Sequence, residues 1–218
     1  MRERVRGLYV ITDGGNTPAL LAKVQEALEG GATMVQYRDK SSDVAKRQDE
    51  ARAIVVLCRR HGALSFINDD IALAAEVDAD GVHVGRDDSA IGAARAALPG
   101  KLIGVSCYNQ IELALAAQAA GADYVAFGRF FPSNTKPDAV QADVALLGVA
   151  KALLDIPVVA IGGITPANGR CLVAAGADAL AVIHAVMAHH DVNGAARRFA
   201  FLFSRDASQL GAEPQKIQ

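Results

Sequence analysis

GADYVAF, residues 121–127, and GADALAV, residues 176–182, are near-copies, and GGATMVQ (30–36) and DADGVHV (78–84) share their pattern. In each, small residues precede a polar position and then an apolar run rich in β-branched or aromatic side chains. That order reads as a helix end, a tight turn and a buried strand. Repetition of this kind marks one supersecondary unit used several times along the chain.

Working outward, similar apolar runs recur from end to end: 8–12, 33–37, 65–68, 81–84, 102–106, 124–128, 157–162 and 179–183. Ala-rich segments with helical periodicity, such as LLAKVQEALEGG and IELALAAQAAGA, separate them, and glycines 30, 62, 121 and 176 stand where helices should end. Continuous apolar strands alternating with helices imply a parallel sheet covered on both faces. About eight such units in 218 residues fit a single (β/α)8 barrel spanning residues 1–204, with a doubly wound open sheet as the alternative. The polar tail, 205–218, is expected to fray.

Net charge is −2, with 22 basic and 24 acidic residues intermixed, which argues against a nucleic-acid or anionic-membrane partner. Cys58, Cys107 and Cys171 are far apart and form no CxxC pair, so neither a disulfide framework nor a zinc site is expected. The opening residues lack the length of a signal peptide, and no apolar run approaches a membrane span. A cytoplasmic protein acting on small molecules is the default reading, with room for a homo-oligomer.

In such a barrel the active site lies at the C-terminal ends of the strands. The second strand runs into Gln36-Tyr37-Arg38-Asp39-Lys40; alternation places Gln36, Arg38 and Lys40 on one side and Tyr37 and Asp39 on the other. Those polar side chains are either ligand contacts or a rim paired with Asp39 and Asp43. Asn68-Asp69-Asp70 and Arg86-Asp87-Asp88 end the third and fourth strands; N-capping explains one acid before each helix and leaves another over. Carboxylates on neighbouring strand ends, beside phosphate donors, suit Mg²⁺. Asn109 reads as the cap of the next helix, which frees Ser106 to face the mouth. Gly162-Gly163 and Ile183-His184 end the last two strands, where barrels often bind phosphate. His83 reads as a hydrogen-bonded core residue rather than a catalyst. His61, His189 and His190 look like surface residues at helix ends, and Cys107 lies near the mouth without a histidine to activate it.

After the sixth strand comes FGRFFPSNTKPDA (127–139), in which Pro132 and Pro137 frame Ser133, Asn134, Thr135 and Lys136. A stiff loop of hydroxyl, amide and ammonium donors suits a phosphate, although the same residues also build ordinary surface turns.

Taken together, QYRDK, INDD, DGVHVGRDD, IGVS, YVAFGRFFPSNTK and VVAIGGIT resemble the thiamine phosphate synthase family in order and spacing, over nearly the whole chain. The resemblance implies a (β/α)8 barrel that transfers a pyrimidinylmethyl group from its diphosphate to thiazole phosphate, releasing pyrophosphate with Mg²⁺ present. It implies that Gln36, Arg38, Lys40, Asn68 and Ser106 contact the pyrimidine diphosphate. Asp69 and Asp88 would bind the metal. Ser133, Asn134 and Thr135, with Gly163, Ile183 and His184, would form the thiazole phosphate pocket, and Lys136 would reach the diphosphate. Arg38, Lys40 and Lys136 would carry the catalytic charge. Three positions depart from the commoner pattern: Arg86 in place of glutamine, His184 in place of serine, and Ser133 in place of threonine. A thiazole tautomerase of the same fold, a Schiff-base aldolase and a non-catalytic phosphate-binding regulator are the rival readings.

Overall fold

The computed structural model of the chain describes residues 2–85, 88–132 and 140–204, apart from the side chains of Arg2, Asp88 and Ser89. Strands and helices alternate: β1 (Gly7–Ile11), α1 (Thr17–Glu29), β2 (Ala32–Tyr37), α2 (Val44–His61), β3 (Leu64–Asn68), α3 (Ile71–Glu76), β4 (Gly81–Val84), α4 (Asp88–Ala97), β5 (Leu102–Tyr108) and α5 (Ile111–Ala119). They continue with β6 (Tyr124–Phe127), α6 (Ala145–Leu153), β7 (Val158–Ile161), α7 (Pro166–Ala174), β8 (Ala179–Val182), α8 (His184–Met187) and α9 (Val192–Phe201). The eight parallel strands pair in sequence order and β8 returns to β1, with Val10 opposite Val182, so the barrel is closed. Closure removes the sheet edges that the open alternative would leave. The strands lie within a residue of the expected runs, except that β5 continues to Tyr108. The tail, 205–218, lies outside the described residues.

The repeated turn has a structural purpose. Asp80 accepts the backbone N–H of Ser65 at 2.9 Å and its hydroxyl at 2.8 Å, which ties the start of β4 to β3. Asp123 accepts Ile103 N–H at 2.9 Å and so ties β6 to β5, and Asp178 accepts Val158 N–H at 2.8 Å and ties β8 to β7. In the fourth copy Thr33 replaces the aspartate, and its hydroxyl donates to the Arg6 and Leu8 carbonyls of β1. Each even strand is thus stitched to the odd strand before it at the N-terminal face. Arg95 and Lys151 pair with Asp123 and Asp178, balancing the charge of these acids.

Alternation then divides the side chains. One set of each strand faces the helices, joining residues such as Val24, Ile54 and Leu172 in the outer core. The other set fills the barrel with Tyr9, Met34, Phe66, Leu102, Tyr124 and Val159. Phe66 stands 5.4 Å from both Tyr9 and Tyr124, ring centre to ring centre. Gly104 makes room for this stack, because a Cβ there would overlap the Tyr124 ring. Large and small side chains thereby alternate round the interior, which is how a small barrel is filled without voids.

Local details depart from the sequence expectation at two helix ends. Gly62 does cap α2 in the left-handed region (φ 67°), whereas α5 and α7 are capped by Ala120 and Ala175, and glycines 121 and 176 come one position later. Asn109 is not a cap: the chain leaves β5 through Tyr108 at φ 52°, closes a turn from Gln110 N–H to Cys107 C=O, and starts α5 after Gln110, whose side chain makes no capping bond.

Ser65 is buried, so Asp80→Ala leaves two of its donors without partners in the wall. We expect a loss of about 2–3 kcal/mol and a fall in Tm of roughly 5–10 °C, measured by urea and thermal unfolding, with kcat little changed because Asp80 lies at the face opposite the mouth.

Candidate functional site

Two adjoining cavities open at the C-terminal mouth. The first, about 510 Å³, sinks into the barrel onto Tyr9, Ala126, Val159 and Ala181. The second, about 550 Å³, lies over the ends of β2, β3 and β4 and is lined by charged side chains of both signs, Arg38, Lys40 and Arg47 with Asp39, Asp69 and Asp70. Arg38, Asn68, His83, Ser106 and Tyr108 line both.

The floor is a chain of hydrogen bonds hung from the aromatic stack. Gln36, almost fully buried, donates from Nε2 to Tyr9 Oη at 2.9 Å, and Tyr9 and Tyr124 share a 2.9 Å hydroxyl contact. His83 Nδ1 lies 3.0 Å from Tyr124 Oη and its Nε2 lies 2.9 Å from Ser106 Oγ. Burial pushes both phenols above their ordinary range, so they stay neutral donors and acceptors. His83 is hydrogen-bonded in the core, as expected, but its strand position also brings it to the boundary of the two cavities. Ser106 faces the mouth as expected. Cys107 does not: it is buried and turned toward the helices, and burial pushes its thiol up to about 12. The alternation that turns Ser106 inward turns the next residue outward.

The end of β2 follows the same rule. Tyr37 points outward and donates to the buried Glu50 of α2 at 2.9 Å, and Thr17 Oγ1 donates to Glu50 at 2.6 Å. Thr12, fully buried, accepts Arg38 N–H at 2.8 Å and donates to the Arg38 carbonyl at 3.0 Å, fixing the backbone that carries the guanidinium. Asp39 and Asp43 are not partners of Arg38 and Lys40. Asp39 pairs with Lys46 at 2.8 Å, and Asp43 caps α2 by accepting Lys46 N–H at 3.0 Å. Among the described residues, Arg38 and Lys40 therefore have no acidic partner, and both line the second cavity.

The acidic turn after β3 divides its labour. Asp70 caps α3 through Leu73 N–H at 2.9 Å and pairs with Arg47 at 2.5 Å. Asp69, at φ 60° and exposed, lines the second cavity and accepts Asn68 Nδ2–H at 2.7 Å. Asp88 begins α4, but its side chain, together with Arg86 and Asp87, lies outside the described residues. Ser133, Asn134, Thr135 and Lys136 lie outside them too. Among the described residues no cluster of three metal-ligating side chains is present.

Gly163 takes φ 65°, and a Cβ there would run into the Phe131 and Pro132 carbonyl oxygens. Bare backbone at this position lets the segment after β6 lie against the end of β7. Gly163, Ile183 and His184 all line the first cavity. The His184 ring is drawn to Asp13, with Nε2 3.0 Å from the carboxylate. Sequence reasoning missed Tyr9, Thr12, Asp13, Tyr108, Tyr124 and Arg129. Strand alternation counted from Gln36 marks the inward register of one strand; the register between strands, which brings Tyr9 and Tyr124 under the pocket, has no local signal.

A closed eight-stranded barrel whose mouth joins a ring-floored cavity to a highly charged one defines a (β/α)8-barrel enzyme. The family described as thiamine monophosphate synthase matches residues 8–186, and the chain belongs to it. The chain is 52% identical over 211 residues to the thiamine-phosphate synthase of Thiobacillus denitrificans, covering 96% of this chain and all of that protein. It is 52% identical over 206 residues to that of an Azoarcus species, covering 94% and 100%. The solved thiamine phosphate pyrophosphorylase of Pyrococcus furiosus superposes with a TM-score of 0.83 at 37% identity, covering 92% of this chain and 96% of that one.

Asp39 anchors the loop that presents Lys40. Burial raises its pKa, but the bonds from Lys46 and Ser41 outweigh that and hold it at about 2. A depressed carboxylate stabilises the fold above its unfolded pKa, and that contribution is lost as pH falls through the folded value. Asp39→Asn should therefore cost about 1–2 kcal/mol at pH 7. Urea titrations should show the gap to wild type closing between about pH 4 and pH 2.

Proposed function

We propose that the chain joins 4-amino-2-methyl-5-hydroxymethylpyrimidine diphosphate to thiazole phosphate, giving thiamine monophosphate and pyrophosphate. The observation that carries this reading is the pair of cations, Arg38 and Lys40, without an acidic partner among the described residues, over a polar cavity that opens directly into a ring-floored one. A flat aromatic substrate fits against the floor while its diphosphate lies among the cations. Gln36 and Ser106, fixed through Tyr9 and His83, supply directed hydrogen bonds to the pyrimidine, and Asn68 stands beside the diphosphate. Ser133, Asn134 and Thr135, with Gly163, Ile183 and His184, serve the thiazole phosphate.

Breaking the carbon–oxygen bond leaves positive charge on an aminopyrimidine that delocalises it, and negative charge on the departing diphosphate. The protein's main task is to stabilise that anion with charges already in place, which is the role assigned to Arg38, Lys40 and Lys136. Its second task is to hold the thiazole nitrogen in line and keep water out, to which the deep apolar cavity contributes.

Mg²⁺ fits the donors present. Asp69 is a carboxylate that lines the second cavity rather than capping a helix, and Asp88 is assigned as the second ligand. A magnesium ion needs only one or two protein carboxylates when substrate phosphates and water complete its shell. When bound it would neutralise charge on the diphosphate.

A coupled pyrophosphate-release assay with both substrates and Mg²⁺ tests the reading. Release should require both substrates, and chelation of divalent ions should abolish it. Binding of both without release would indicate a regulator, and turnover of thiazole phosphate alone a tautomerase. Asp69→Ala should raise the Mg²⁺ concentration needed for half-maximal rate, with an unchanged Mg²⁺ profile removing Asp69 from the metal site.

The order of donors in the 133–136 segment gives a sharper expectation. Lys136→Ala should lower kcat by roughly 10²–10³, since the ammonium acts on charge that grows in the transition state. Thr135→Val should chiefly raise KM for thiazole phosphate. Steady-state kinetics with each substrate varied in turn separates the two.

A further inference from the structure

The permanent cations that line the first cavity among the described residues are Arg38 and Arg129, and the imidazoles of His83 and His184 line it too. Arg38 faces both cavities, and His184 is engaged with Asp13. Arg129 stands apart. It is half-buried, its Nε is shielded from solvent with no hydrogen-bond partner, and no acid pairs with its guanidinium among the described residues.

Its position is nonetheless held on two sides. The Arg129 carbonyl accepts Ala142 N–H at 2.7 Å, while Phe130 and Phe131 donate their N–H groups to Ile161 and Gly162 of the neighbouring strand end at 3.2 and 3.0 Å. Gly162 lies so close that a Cβ there would strike Arg129 Cα and Cβ. A fixed backbone of this kind limits where the guanidinium can go for relief. A cation withdrawn from water without a counter-charge is unfavourable by itself. An arriving anion removes the penalty, and the planar fork of arginine matches a phosphate better than a lysine does.

Position selects the anion. Arg129 does not line the polar cavity over β2–β4, where Arg38, Lys40 and Asp69 await the diphosphate. It lines the other cavity together with Gly162, Gly163, Ile183 and His184. Building on the assignment of that end to thiazole phosphate, we propose that Arg129 is a specificity-determining residue whose guanidinium pairs with the phosphate of the thiazole substrate. It supplies a permanent positive charge with no acid beside it among the described residues, whereas the His184 ring is engaged by Asp13, and it makes the enzyme select the phosphate over the free thiazole alcohol.

Calorimetric titration of the full chain with thiazole phosphate and with the dephosphorylated alcohol tests this, using wild type, Arg129→Gln and Arg129→Lys. Arg129→Gln should weaken phosphate binding by about 10- to 100-fold, the worth of a charge-assisted hydrogen bond or two. Affinity for the alcohol and KM for the pyrimidine diphosphate should stay unchanged, and Arg129→Lys should recover part of the loss. Equal losses for phosphate and alcohol, or a loss confined to the pyrimidine diphosphate, would overturn the proposal. Should Arg129→Gln fail to fold, the Lys variant decides: exchanging the fork for a point charge must still lower the phosphate-to-alcohol affinity ratio, and an unchanged ratio overturns the proposal. Absence of pyrophosphate release by wild type would instead refute the synthase reading, so the two failures are distinct.

Discussion

Thr33, Asp80, Asp123 and Asp178 each reach from the start of an even-numbered strand to the backbone of the odd-numbered strand before it. These four stitches set the register of the wall at the end of the barrel away from the mouth. A parallel wall has no hairpins to hold its register, and a slip of one residue would send every inward side chain outward. Because the strands are rigid and short, register fixed at the N-terminal face decides which side chains stand at the other. The placement of Gln36, Asn68, His83 and Ser106 therefore depends on one threonine and three aspartates at the opposite face.

Between the stitches and the mouth lies the ring stack of Tyr9, Phe66 and Tyr124, which turns a packing problem into a foundation. Its hydroxyls are the only polar atoms the stack carries. They are spent on Gln36 and His83, so polar groups lining the cavity are held in fixed orientations. Above this floor the electrostatics change character. At the rim, among the described residues, Arg38, Lys40 and Arg129 have no acidic partner, while three nearby acids are committed elsewhere. Asp39 goes to Lys46, Asp70 to Arg47 and Asp13 to His184. Excess positive charge facing two joined cavities is a preorganised field for anions, at some expense of stability in the empty protein.

How much was legible in the sequence follows from how far each signal reaches. The period-2 alternation within QYRDK separates inward Gln36 from outward Tyr37 as the wall does, but it does not carry past the strand end, where Asp39 lines the second cavity together with Arg38 and Lys40. The capping chemistry of Asp70 was likewise local. The helix start after Tyr108 was misread because Asn109 is the better cap by type, yet a left-handed Tyr108 moves the turn by a residue. Cys107 was placed near the mouth by proximity in sequence to Ser106, although adjacent strand residues face opposite ways.

The sequence by itself determined the alternation of strand and helix, the barrel class, the family and the strand ends at which polar residues collect. These depend on periodicity, turn chemistry and ordered motifs, each contained in a few residues. The tertiary structure alone decided that Tyr9 and Tyr124 meet under the pocket, that Asp39 serves Lys46 rather than Arg38, that Asp13 takes His184, and that Arg129 has no counter-charge among the described residues. Each of these is a contact between residues distant in the chain. Their geometry is fixed by inter-strand register and by the way helices pack on the barrel, and no local pattern encodes either.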